Sequence, residues 1–331
     1  MFQLQQVSLR AGAGWRLRNI NLILQAESTA IIGYSGAGKS SLLNVLVGYE
    51  KSDSGQIRRP TQTEPSGGRL PFFWVPQNGG LWPHLTTEQH LQAVIPQISG
   101  RSTGFSISSD EILDHLALTH KRHSRPSQLS LGESSRLAVA RGLASCAGWL
   151  LMDEPLSHVD PVRKPAFWQS VHNLARATGT RLVFSCHEPE FVLRHAEHVV
   201  CLHEGEICWS GTVQQLFEDP PSAELGRFLG PLNWWTQAEA ALLNTACETL
   251  TTSAAVHPRP LPAERGLRPQ HIRIHRVAAG GFPILHSRSC GLYHQTQLQL
   301  APGHPLTVLH SISPPFMAGE TVCVSAEVTC G

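Results

Sequence analysis

Charge is scarce in this chain: only 15% of its 331 residues are Asp, Glu, Lys or Arg, and 26 basic against 25 acidic residues leave a formal charge of +1. Bulk attraction to a polyanion is thereby excluded, so no nucleic-acid partner is expected. No apolar run approaches the roughly 18 residues that cross a bilayer. The opening Met1-Phe2-Gln3-Leu4-Gln5-Gln6-Val7 lacks a basic segment followed by an apolar one, which points to the cytoplasm rather than to secretion. The eight cysteines (146, 186, 201, 208, 247, 290, 323 and 330) include no Cys-x-x-Cys pair and read as reduced, structural thiols. Histidines 195, 198 and 203 with Cys201 have some of the spacing of a metal site. They run from a helix end into a strand, where such ligands diverge, and no metal is assigned to them.

What is present is a sizeable core, with 41% hydrophobic residues, and a length that suits about two domains. Residues 1 to about 225 alternate apolar strand-like runs with amphipathic helical ones, the pattern of an α/β sheet covered by helices. The runs are Ser28–Ile32, Phe72–Val75, Trp149–Met152, Arg181–Phe184 and His198–Leu202. Four end where a polar segment begins, as expected of parallel strands whose carboxyl ends form a site. From 226 to 265 the chain reads as a connector: Thr236 to Leu250 looks helical and Val256 to Pro262 is stiff and proline-rich. From 266 to 331 short strands predominate, at Leu292–Leu300, Pro305–His310 and Thr321–Val328, predicting a small all-β domain.

The chemistry begins at Gly33-Tyr-Ser-Gly-Ala-Gly38-Lys39-Ser40, a G-x-x-x-x-G-K-[ST] pattern between an apolar strand and a helical segment. Glycines at 33, 36 and 38 let the backbone N–H groups of this loop, Ser35 and Ala37 included, turn in around phosphate oxygens. The helix start at Ser40 and Ser41 adds its positive dipole end. Lys39 is placed to reach the outer phosphates and the Ser40 hydroxyl to ligate Mg²⁺. A second strand ends in Asp153-Glu154, a pair suited to divide labour between a metal shell and a general base.

Read together with their surroundings, these residues resemble the nucleotide-binding subunit of an ATP-binding-cassette (ABC) transporter. Val75-Pro-Gln77 is similar to the family's Q-loop, and Leu129-Ser130-Leu131-Gly132-Glu133 to its LSGGQ signature, followed by the helical Arg136 to Ala144. Pro155 to Asp160 resembles the Walker B exit and D-loop, and Ser185-Cys-His187-Glu the switch-histidine segment. The resemblance implies a P-loop fold with a RecA-like core and a helical subdomain. It implies ATP and Mg²⁺ as cofactors, with Ser40, Gln77 and Asp153 about the metal, Glu154 as base and His187 on the γ-phosphate. Ser130, Gly132 and Asp160 would serve the nucleotide of a second copy, docked head to tail.

Two departures bear on that expectation. Leu131 and Glu133 stand where the family has Gly and Gln, placing a side chain in the signature turn and a negative charge near phosphate. The family's adenine-stacking aromatic is replaced by Arg10 and Ala11, and Trp15 is the nearest aromatic, either a stacking platform or a packed loop residue.

Phe228-Leu-Gly-Pro-Leu-Asn233 and Gly266-Leu-Arg-Pro-Gln-His-Ile-Arg273 look like the recurring phrases of the TOBE domain, an OB-like β module of importers for sugars, polyamines, ferric iron, sulfate and molybdate. A β tail that only stabilises a dimer is the other reading. The resemblance implies an ATPase on the cytoplasmic face of a bacterial inner membrane, bound to permease subunits that a solute-binding protein supplies. A soluble ABC switch acting on ribosomes or nucleic acid is the alternative; such proteins usually carry two cassettes or a coiled-coil insertion, and this chain has neither.

Overall fold

A computed structural model describes residues 1–12, 14–61, 69–96, 107–248, 260–277, 281–301, 303–311 and 316–326. Residues 256–259 of the connector, Cys330 and positions 327–328 of the last expected strand lie outside them. Two compact units form, Met1–Val213 and Gln214–Gly331, where the sequence places a boundary near 225. Among the described residues there is no disulfide, and no helix is long and apolar enough to cross a membrane.

The first unit opens with strands β1 (Phe2–Ala11) and β2 (Gly14–Leu24), then β3 (Ser28–Ile32), helix α1 (Lys39–Val47), β4 (Ser54–Arg58) and β5 (Phe73–Val75). Helices α2 (Thr87–Gln92), α3 (Ser109–His115) and α4 (Leu131–Ala144) precede β6 (Trp149–Met152), α5 (Lys164–Ala177) and β7 (Arg181–Ser185). Helix α6 (Pro189–His195) and strands β8 (His198–His203) and β9 (Glu206–Thr212) complete it. The apolar runs become the centre of a six-stranded sheet, order β5-β6-β7-β3-β8-β9, parallel except for the β8–β9 pair. All five residues of β3, on both faces of the sheet, are buried, which is why its sequence shows no apolar–polar alternation. A second, antiparallel sheet, β2-β1-β4, shares a core with α1 through Leu4, Val7, Leu17, Ile20, Leu42 and Leu46.

Helix α5 buries Phe167, Trp168, Val171, Leu174 and Ala175, a 3.6-residue stripe, and its Trp168 ring meets Phe184 of β7 at 5.0 Å. Trp168 also meets His195, whose ring stacks on His172 at 5.5 Å; burial pushes the His195 pKa down to about 4. His195 thus ends α6 as a packed aromatic, while His198 and His203 belong to β8.

The second unit contains α7 (Val213–Glu218, starting at the division), α8 (Ala223–Phe228), β10 (Asn233–Trp234), α9 (Gln237–Glu248) and β11 (Gly266–Leu267). Then come β12 (Ile272–Arg276), β13 (Phe282–Ser289), β14 (His294–Ala301), β15 (His304–His310) and β16 (Thr321–Ala326). The last five make an antiparallel sheet, order β12-β16-β13-β14-β15, over a core that includes Trp235, Leu243, Ile272, Leu298 and Val324. Arg273 of β12 donates to Ser311, just beyond β15, at 2.7 Å, so the two edge strands curl toward each other as in an OB-like module.

The two recurring phrases have a physical reading here. Asn233 donates to the Leu309 carbonyl (2.6 Å) and accepts from the Leu309 N–H (2.8 Å), replacing a missing strand partner. Arg268, 2% exposed, lies over the Phe217 ring and donates to the carbonyls of Phe217, Gly230 and Pro231, and burial lowers its pKa to about 10. The helical segment expected between the phrases is α9.

Candidate nucleotide site

The order β5-β6-β7-β3 sets four strand ends side by side, and each carries a residue singled out in the sequence. Gln77 follows β5, Asp153 and Glu154 follow β6, His187 follows β7, and the loop from Gly33 to Gly38 follows β3. A cavity of about 630 Å³ is lined by Trp15, Arg16, Ser35, Gly36, Gly38, Lys39, Ser40, Ser41, Gln77, Glu154 and His187.

Gly38 caps α1 with φ of 103°, and a Cβ there would fall 2.6 Å from the Arg16 carbonyl oxygen, so the position takes only glycine. Lys39 donates to the carbonyls of Gly33 (2.8 Å) and Tyr34 (3.1 Å), which holds its ammonium over the loop. Ser35, Gly36, Ser40 and Ser41 face the cavity with it, whereas Ala37 is buried, its carbonyl accepting from the Gly205 N–H.

Glu154 is the meeting point of the polar side chains. Its Oε2 accepts from Gln77 Nε2 at 3.2 Å, and His187 Nδ1 lies 3.5 Å from its Oε1. Its backbone sits in the left-handed region, φ 47°, a conformation that costs a non-glycine residue about 1 kcal/mol. The Glu154 N–H is held there by Ser185 Oγ (2.7 Å), and the same hydroxyl donates to Asp153 Oδ1 (2.6 Å). Asp153, 5% exposed, is thus oriented by the neighbouring strand, and it borders a second cavity, about 280 Å³, together with Gln77, Glu154, Leu131 and His158.

Trp15 lies directly across the β1–β2 hairpin from Arg10, whose guanidinium covers one face of the indole at 4.5 Å. The indole remains 44% exposed at the cavity wall. Trp15 and the Arg10 that stands in the stacking aromatic's place are therefore stacked on each other.

Ser130, Gly132 and Asp160 do not line the cavity. Ser130 caps α4 and Asp160 holds the turn into α5, its Oδ1 accepting from the Val162 N–H at 2.8 Å. Gly132 packs against the turn at His158, where a Cβ would lie 2.9 Å from the carbonyl oxygen. The two departures in the signature sit at the start of α4. Leu131 starts a regular helix, 71% exposed, with no left-handed backbone for a glycine to relieve. Glu133 closes a capping box with Ser130 and pairs with Lys121 and His120, so its charge is engaged within its own chain. The Ser-x-x-Glu spacing before an apolar run carried that signal in the sequence.

Three residues of the site went unread. Ser185 orients both Asp153 and Glu154, and its place before His187 at a strand end was the available cue. Arg16, at the cavity wall, is held in a bidentate pair by Glu50 behind it (2.7 and 3.0 Å), and their 34-residue separation gives no sequence signal.

Comparison with known proteins agrees with this geometry. The model of the ABC transporter family matches residues 17–157. A ferric-ion import ATP-binding protein of Pectobacterium atrosepticum is 30% identical over 238 residues, 70% of this chain and 68% of that protein. A thiamine import ATP-binding protein of a Ruegeria species is 31% identical over 232 residues, 70% of this chain and 100% of that protein. Among solved structures, an ATP-binding subunit of an ABC transporter superposes with a TM-score of 0.57 at 21% identity, covering 65% of this chain and 91% of the other. A dimeric bacterial ABC transporter cassette gives 0.53 at 24% identity, covering 64% and 99%. The chain belongs to the ABC transporter family, among its ATP-binding subunits.

Proposed function

We propose that this chain is the ATP-hydrolysing subunit of a bacterial solute importer, acting as a head-to-tail dimer against inner-membrane permease subunits that an extracytoplasmic solute-binding protein supplies. One observation carries the catalytic part: Gln77 and His187 converge on the Glu154 carboxylate in the cavity that Lys39 and Ser40 border. Glu154 takes a proton from water as its oxygen bonds to the γ-phosphorus; the bond from phosphorus to the bridging oxygen breaks, and ADP leaves. The Gln77 amide donates to one carboxylate oxygen and keeps that base oriented. The Lys39 ammonium and the loop N–H groups hold the outer phosphates, and His187 reaches the γ-phosphate.

The donor set suits Mg²⁺. Ser40 offers a hydroxyl, the Gln77 amide oxygen stays available while its nitrogen serves Glu154, and Asp153 has one oxygen on Ser185 and one to spare. When bound, the ion supplies charge neutralisation at the β- and γ-phosphates. Ser130 and Gly132, outside this cavity, are read as reaching the partner copy's nucleotide, with Asp160 beside that interface. The relatives' names support import, for iron and thiamine respectively. Mg²⁺-dependent ATP hydrolysis by the purified chain, abolished in Lys39→Ala, tests the ATPase; capture of membrane-embedded subunits by the tagged chain tests the importer.

A further inference from the structure

Arg16 follows Trp15 in β2 and bonds Ser41, the second serine of α1 and the residue after Lys39 and Ser40. It lines the same cavity as these residues and as Gln77, Glu154 and His187. We propose that Arg16 binds the nucleotide, donating to its ribose-proximal phosphate, and that Glu50 is the residue that aims it. The proposal rests on the reading of this cavity as the ATP site.

A guanidinium has five N–H groups. In Arg16, Nε donates to Ser41 Oγ at 2.9 Å, and the two terminal nitrogens each give one bond to Glu50, at 2.7 and 3.0 Å. Two N–H groups remain, on a side chain that is 38% exposed and borders the cavity. The aim is built from three segments. Glu50, in the turn after α1, also accepts from Asn44 Nδ2 of α1 at 2.8 Å, so the carboxylate is fixed before it fixes the arginine. Ser41 gains as well: with a lone pair engaged by Arg16, its hydroxyl hydrogen is free to be donated to phosphate.

The position selects which phosphate. A nucleotide stacked on Trp15 with its terminal phosphate at Lys39 and Glu154 brings the first phosphate past Arg16 and Ser41. That phosphate is common to ATP and ADP, whereas Glu154 and His187 sit where only ATP reaches. Loss of Arg16 therefore weakens both nucleotides equally and enters KM far more than kcat. Because the guanidinium is partly exposed, its contribution shrinks as salt screens it.

The test is nucleotide affinity of the full chain, as Arg16→Gln and as Arg16→Lys, with ADP and with ATP in a Glu154→Gln background, beside thermal melting without nucleotide. One charge-assisted bond lost predicts about a tenfold rise in Kd for both nucleotides in Arg16→Gln, and a smaller rise in Arg16→Lys, which keeps the charge but not the fork. The rise should contract in high salt. Unchanged affinities with a lowered melting temperature overturn the proposal and leave Arg16 as a staple between β2 and α1. Loss of ATP affinity alone overturns it too, by placing the contact at the terminal phosphate. If the parent chain binds neither nucleotide, the reading of the cavity fails, and this proposal with it. Should Arg16→Gln not fold, the Lys variant decides by the same equality of ATP and ADP.

Discussion

Glu133 and Ser130 cap each other: the carboxylate accepts from the Ser130 N–H at 2.8 Å, and the Glu133 N–H donates to Ser130 Oγ at 3.2 Å. Glu133 thereby secures the start of α4. Glutamine fills the same place in a capping box, so Glu133→Gln is expected to leave stability within about 0.5 kcal/mol, whereas Glu133→Ala loses about 1 kcal/mol. The Ser130 N–H, with Lys121 and His120 assisting, holds the Glu133 carboxyl below the usual glutamate range. A depressed carboxyl contributes fully above its unfolded pKa and is lost as pH falls through the folded one. Denaturant melts should show the Glu133→Ala deficit in full at neutral pH and reduced in acid, where the protonated carboxyl still accepts through its carbonyl oxygen as glutamine would. A deficit independent of pH would place the effect elsewhere.

Glu154→Gln keeps the shape of the side chain and its contact with Gln77 but cannot take a proton. Hydrolysis should fall by about 10²–10⁴ while ATP binding persists, leaving a nucleotide-loaded dimer. Single-turnover rates and sedimentation with ATP check this. Hydrolysis within threefold of the parent would mean that the base lies elsewhere.

Trp15 has Arg10 on one face, and its other exposed surface borders the cavity. Stacking of a base on an indole is worth about 1 kcal/mol, the same in ground and transition states. Trp15→Ala should therefore raise the KM for ATP several-fold and act similarly on GTP, with little change in kcat, and nucleotide should quench Trp15 fluorescence. Unaltered ATP binding by the Ala variant would assign the indole to packing against Arg10 alone.

In the second unit, Asn233→Ala removes from the half-buried Leu309 N–H and C=O the partners that the buried Asn233 side chain supplies. A cost of about 2–4 kcal/mol is expected in urea unfolding. Asn233→Asp restores only the acceptor and should remain well below the parent. A loss under about 1 kcal/mol in Asn233→Ala would mean that water replaces the side chain.

A pH effect follows from His310, 1% exposed, whose Nε2 lies 2.9 Å from Thr296 Oγ1 and whose pKa burial lowers to about 4. Its folded pKa lies below the unfolded one, so the unfolded chain takes up the proton first. Stability contributed by the neutral ring is complete above pH of about 6.5 and declines toward 4. His310→Gln should flatten that stretch of the stability profile; an unchanged slope would assign it to other groups such as His195.

The amino-acid pattern marks five strands of the larger sheet and the glycine-rich loop, and it offers the candidate reacting groups. A buried parallel strand must be an apolar run, and a phosphate cradle must have glycine where Gly38 meets the Arg16 carbonyl, so both leave local marks. Trp149–Met152 and the pattern around Lys39 could be read for that reason. Which partner each polar side chain meets is visible only in the fold. Glu154 meets Gln77 across 77 residues, Ser185 orients Asp153 across 32, and Arg16 finds Glu50 across 34, because neighbouring strands and a hairpin bring together ends that are remote in the chain. Glu133 shows the same division from the other side. Its residue type says only that it is negative, and the folded turn, with Ser130 one helical turn away and Lys121 alongside, gives that charge its partners within the chain. Residue chemistry is local, but the partner that sets its role is chosen by packing.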